Sequence, residues 1–84
     1  MISPEQVEAL IKEKLPDAQI QALTPDGEHY EVTVISSLFE GKARVQQHQM
    51  VYGAVQPVMD SGVLHAMSLK TYTPATWSAT SQAV

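Results

Sequence analysis

The chain has no cysteine. That excludes a disulfide framework, a thiol nucleophile and any iron–sulfur cluster held by this chain alone, since the thiolates would have to come from elsewhere. Basic residues are few: five Lys and Arg stand against nine Asp and Glu, for a formal charge of −4. A field of that sign repels phosphate backbones overall, so a nucleic-acid partner would need a local basic patch. Long apolar runs are missing too. Nothing approaches the roughly eighteen consecutive apolar residues of a membrane span, and Met1-Ile2-Ser3-Pro4-Glu5 has neither a basic nor an apolar leader region. A cytoplasmic address without a membrane partner is the expectation. There is no P-loop, GxGxxG or HExxH, and no nucleophile with a base nearby in sequence; Asp26 and Glu28 sit on a turn, where exposure gives no reason for a tuned pKa. The expectation is therefore a protein that is not an enzyme.

What is present suits one small α/β domain: 84 residues, 44% of them hydrophobic. Ile2-Ser3-Pro4-Glu5-Gln6-Val7 reads as a helix start, with Ser3 as N-cap, Pro4 at the first helical position, Gln6 closing a capping box and Ile2 stapled to Val7. Val7, Leu10, Ile11 and Leu15 continue at helical spacing until Pro16, which predicts a helix over 4–14. Residues 18–23 read as a weak strand, Thr24-Pro25-Asp26-Gly27 as a turn, and 29–36 as a strong strand with Tyr30, Val32 and Val34 on one face. These two strands form a hairpin.

After Phe39-Glu40-Gly41 the period becomes helical, with Ala43, Gln47, Met50, Val51, Ala54 and Val58 on one stripe. Gly53 and Pro57 interrupt it, and proline inside a helix costs about 3 kcal/mol, so two consecutive helices are predicted. Residues 63–72 read as a third strand. The order is α-β-β-α-α-β: a two-layer α+β domain over 1–74, with helices on one face of a three-stranded mixed sheet, in which a right-handed crossover makes the second and third strands parallel. Residues 75–84, rich in small polar side chains, read as a frayed, disordered tail.

His29 opens the second strand as His65 opens the third, and parallel strands bring those ends to one edge, about 4.8 Å apart. Two imidazoles there could reach one metal centre. Spacing alone still favours solvated bystanders, and parity argues against a shared site, because His65 alternates with Met67 and Leu69 whereas His29 lies opposite Tyr30 and Val32. Two histidines are also too few for zinc, which takes three or four protein ligands. Imidazole does replace thiolate on one iron of a Rieske-type [2Fe–2S] centre, so a second molecule could supply the sulfur. Lys42, Arg44 and His48 form a modest basic group for an alternative, nucleic-acid-binding reading, although a solvated helix face explains them more simply.

Phe39-Glu40-Gly41, Arg44-Val45-Gln46-Gln47-His48-Gln49-Met50-Val51-Tyr52 and Val63-Leu64-His65-Ala66-Met67-Ser68-Leu69-Lys70-Thr71-Tyr72-Thr73-Pro74 together resemble the BolA family, with Trp77 following as in many relatives. The resemblance implies a fold akin to class II KH domains. It also implies a heterodimer with a monothiol glutaredoxin around a shared, glutathione-containing [2Fe–2S] cluster, in cluster assembly, trafficking or iron sensing; a homodimer is left open. In the family the histidine of the His-Ala strand, here His65, is the constant ligand. A histidine or cysteine from the loop between the first two strands is the second, and Gly27-Glu28-His29-Tyr30 matches the histidine type. Where relatives read Arg-His-Arg this chain has Gln47-His48-Gln49, and Gly41-Lys42-Ala43-Arg44 keeps only the first glycine of a GxxG loop. Both departures weaken the alternative of a KH-like transcriptional regulator.

Overall fold

The computed structural model describes residues 2–62, 64 and 66–82. Helix α1 (Pro4–Lys14) starts as its sequence dictates: the Ser3 hydroxyl accepts from the Gln6 amide at 3.2 Å, and the Gln6 side chain accepts from the Ser3 amide at 2.8 Å. The Ser3 and Gln6 amides at that helix start are thereby satisfied. Strand β1 (Gln19–Leu23) pairs antiparallel with β2 (His29–Ile35), and β2 pairs parallel with β3 (Ala66–Tyr72), so β2 is central. A short 3-10 turn, Ser37–Phe39, leads from β2 to helix α2 (Arg44–Asp60).

Alternation along β2 decides which face is covered. Tyr30, Val32 and Val34 are buried, whereas Glu31 on the other face is exposed. Val7 and Ile11 of α1 and Val51, Ala54 and Val55 of α2 complete the core over that covered face, each large apolar side chain contributing about 1.5–3 kcal/mol by leaving water. Two contacts fasten the layers. The Tyr30 hydroxyl donates to the Ile2 carbonyl, and Asp17 accepts from the Ser36 hydroxyl at 2.7 Å and from the Ser37 amide at 2.8 Å, tying the end of α1 to the exit of β2.

Two expectations are corrected. The pair of helices predicted around Gly53 and Pro57 is one continuous α2. Pro57 cannot donate to the Gly53 carbonyl four residues earlier, but both residues are exposed, so that carbonyl faces water; Val51, Ala54 and Val55 are buried on the opposite side and hold the turns in line. The segment read as a frayed tail is helical over Pro74–Gln82, here α3. Pro74 occupies a first-turn position, the Thr73 amide donates to the Thr76 hydroxyl at 2.8 Å and the Thr76 amide to that of Thr73 at 3.2 Å, which is capping-box chemistry built from two threonines. Trp77 packs edge-on against Tyr72 with ring centroids 5.2 Å apart and secures the helix to β3.

Candidate functional site

The β1–β2 loop is built around Asp26. Gly27 takes φ +80°, a conformation that favours glycine, and its amide donates to the Thr24 hydroxyl at 2.9 Å. One Asp26 carboxylate oxygen, Oδ1, accepts from the Glu28 amide at 2.9 Å and the His29 amide at 2.8 Å; the other, Oδ2, meets His29 Nδ1 at 2.6 Å. The two side chains remain 68% and 49% exposed for His29 and Asp26 respectively, so the ring is held at one nitrogen and open to solvent elsewhere.

The parallel register sets His29 opposite Ala66, the residue that follows His65. His65 and Val63 lie outside the described residues. The neighbour on the other side is firmly placed: Leu64 is buried, and its amide donates to the Val58 carbonyl at 3.1 Å, pinning the chain between α2 and β3. A surface hollow of about 480 Å³ opens at this edge, with Asp26, His29, Tyr30, Ala66 and Met67 in its wall. Among the described residues no three His, Asp or Glu side chains converge as a metal site. The donor chemistry does suit a shared one, since the largely exposed His29 imidazole stands at the open end of the central strand.

Hydrogen bonding to Asp26 is the main cause that raises the His29 pKa above its ordinary 6.5, with charge attraction second. The same contacts, led by the backbone amides, hold Asp26 well below its ordinary 3.8. Folding raises the histidine, so its stabilisation is complete below pH 6.5 and fades as pH rises through the folded value. Folding lowers the aspartate, so its share is complete above pH 3.8 and fades as pH falls through the folded value. The pair is therefore strongest between pH 3.8 and 6.5, and, being exposed, weakens with salt. An NMR titration is expected to place the His29 midpoint above that of His29 in an Asp26→Asn variant; coincident curves would contradict the ion pair.

The basic residues separate into two places. Arg44 and His48 line a cleft of about 270 Å³ together with Lys70 and Tyr72, whereas Lys42 lines a different hollow with Gln46, Gln49 and Met50. Lys70 alternates onto the exposed side of β3, and only the packing of α2 beside β3 brings it to the same cleft as Arg44. The start of α2 has no side-chain cap at Ala43; the Gln46 side chain accepts from the Ala43 amide at 3.1 Å, and the Gln47 amide group donates to the Lys42 carbonyl at 2.9 Å. The Gln47 oxygen in turn accepts from the Thr71 hydroxyl at 2.7 Å, so Gln47 bridges α2 and β3.

The sequence profile described as "BolA-like protein" matches residues 11–76. This chain belongs to the BolA family. It is 42% identical over 53 residues to the Acid stress protein IbaG of Escherichia coli K12, a match that spans 63% of each chain and so under two thirds of that relative's length. It is 36% identical to Protein BOLA2 of Arabidopsis thaliana over 98% of this chain and 90% of that protein. The solved structure of a BolA homologue from Coxiella burnetii superposes with a TM-score of 0.80 at 34% identity, over 93% of this chain and 99% of that one. The α+β architecture, with three helices and a three-stranded mixed sheet, is thus the BolA fold. Among the described residues, no helix of this BolA-family chain is long and apolar enough to cross a membrane.

Proposed function

We propose that this chain is an adaptor that pairs with a monothiol glutaredoxin and donates His29 and His65 to one iron of a bridging [2Fe–2S] cluster. The glutaredoxin cysteine and glutathione complete the coordination, and the role is cluster assembly and trafficking or iron sensing, with no turnover by this chain. The observation that carries the reading is the register of β2 with β3: a solvent-facing imidazole, His29, stands opposite the residue next to His65, at the rim of an open hollow. Imidazole nitrogen is an accepted substitute for thiolate on one iron of such a centre. A chain with no cysteine has to draw the sulfur ligands from its partner.

The test is to purify the chain with a cluster-loaded monothiol glutaredoxin and glutathione and to record visible absorption and circular dichroism. His65→Ala and His29→Ala are each expected to change the spectrum of the mixed complex and to hasten cluster loss. Spectra identical to that of the parent complex would remove the assignment.

A second reading, nucleic-acid binding, draws on the convergence of Arg44, His48 and Lys70 on one cleft. It predicts salt-sensitive affinity that weakens on Arg44→Ala. The formal charge of −4 and the separation of Lys42 from that cleft work against it.

A further inference from the structure

The contacts of the β1–β2 loop assign a role to Asp26 that its place in a turn does not require. A residue that only shaped the turn would need one oxygen for the Glu28 and His29 amides, and Oδ1 alone serves both. Those two bonds fix the carboxylate plane, and Oδ2 then stands 2.6 Å from the His29 ring at Nδ1. The backbone, not the ring, sets where Oδ2 lies. Gly27 at φ +80° and its bond to Thr24 close the loop so that positions 26 and 29 face each other.

A carboxylate only accepts hydrogen bonds, so Nδ1 must carry the proton. A neutral imidazole has one N–H, and the lone pair is therefore left on Nε2. Metal-bound histidines commonly donate their other N–H to a carboxylate, which fixes the tautomer and strengthens the nitrogen as a donor. Both Asp26 oxygens make contacts within the loop, one of them to the ring itself, which is the arrangement of a carboxylate that supports a histidine ligand.

We infer that Asp26 is a positioning residue that holds the His29 imidazole as its Nδ1–H tautomer, presenting the Nε2 lone pair at the sheet edge to a metal centre brought by a partner. The inference rests on the reading of His29 as a cluster ligand and adds the device that prepares it before any partner arrives. No charge moves and no bond is broken in this step; the ring is oriented in advance, which removes a reorganisation from the encounter.

The experiment has two arms. In the first, long-range nitrogen–proton NMR of the uniformly labelled chain alone, at a pH well above the titration of the ring, reads the His29 tautomer. The Nδ1–H form is expected to dominate in the parent, to be lost in Asp26→Ala, and to give way to the Nε2–H form in Asp26→Asn, whose one oxygen stays on the Glu28 and His29 amides and leaves an NH2 donor facing Nδ1. A parent dominated by the Nε2–H form, or an Asp26→Ala variant matching the parent, overturns the inference.

In the second arm the same variants are joined to glutaredoxin carrying its [2Fe–2S] cluster with glutathione. Cluster loss is expected to be about ten-fold faster in Asp26→Ala, and also faster than the parent in Asp26→Asn, which keeps the turn but not the tautomer. If His29→Ala leaves the spectrum unchanged, the ligand reading fails and this inference falls with it. If His29→Ala alters the spectrum while Asp26→Ala matches the parent rate, the ligand reading stands and the positioning role alone is wrong.

Discussion

With alanine at position 39 the domain is expected to lose about 3–5 kcal/mol, the usual cost of deleting a fully buried phenylalanine side chain. Phe39 is 0% exposed and sits in the turn that carries the chain from β2 into the α2 crossover. Its carbonyl accepts from the Lys42 amide at 3.1 Å and from the Gln47 side chain at 3.3 Å, so its displacement loosens the start of α2 as well as the core. Domains of this kind hold only about 5–15 kcal/mol in total, and small ones lie near the lower end. Urea unfolding followed by far-ultraviolet circular dichroism would show the midpoint collapse. Leu38→Ala, one residue away but 46% exposed, is the control, expected to cost under about 1 kcal/mol. Equal losses in the two variants would mean that the core is not centred on Phe39.

The opposite sign is expected in α2. Replacing Pro57 by alanine restores a donor to the Gly53 carbonyl and removes an interior penalty of about 3 kcal/mol, less about 0.4–1 kcal/mol because alanine frees the unfolded chain. The net gain is about 2 kcal/mol, on the order of 10 °C in Tm for a domain this size. Gly53→Ala acts alongside it: a Cβ there meets nothing within 4 Å, so helix propensity adds about 0.5–1 kcal/mol without a clash. Calorimetry of each variant checks both values. A lower Tm for Pro57→Ala would show that Pro57 itself is needed for the packing of Val51, Ala54 and Val55.

Much of the fold was legible because local chemistry and tertiary demand agree. Ser3, Pro4 and Gln6 dictate where α1 starts, and the alternation of Tyr30, Val32 and Val34 dictates which side of β2 faces inward. The long helical stretch between β2 and β3 implies a parallel pair, and that pairing sets His29 at the start of β2 beside the start of β3. Where reading failed, burial outweighed a local rule. Pro57 is a breaker only if its missing bond faces the interior, and sequence alone does not say which way it faces. The composition of 75–84 signals disorder, yet Thr73, Thr76 and the Trp77–Tyr72 contact supply a cap and an anchor.

At the candidate site, Asp26 reads in sequence as an ordinary turn residue, and only the loop contacts make it the ring partner of His29. An aspartate three positions ahead of a strand-opening histidine was the available signal. Lys70 could not have been grouped with Arg44 by spacing, since 26 residues separate them and only the crossover brings β3 alongside α2.

The central place of β2 also sets the order in which the edge is assembled. The β1–β2 hairpin closes over a short turn between Leu23 and His29, whereas joining His29 to Ala66 closes a loop of 66 − 29 = 37 residues. Longer closure costs more chain entropy and is slower, so the hairpin, with the Asp26–His29 pair already in place, is expected to acquire protection from pulsed hydrogen exchange before β3 does. A nascent chain would then carry the His29 end of the β2–β3 pair well before the β3 end docks. Under the function proposed above, cluster capture would be tied to completion of the fold, because a chain emerging from the ribosome has no paired β2–β3 ends until β3 has been made.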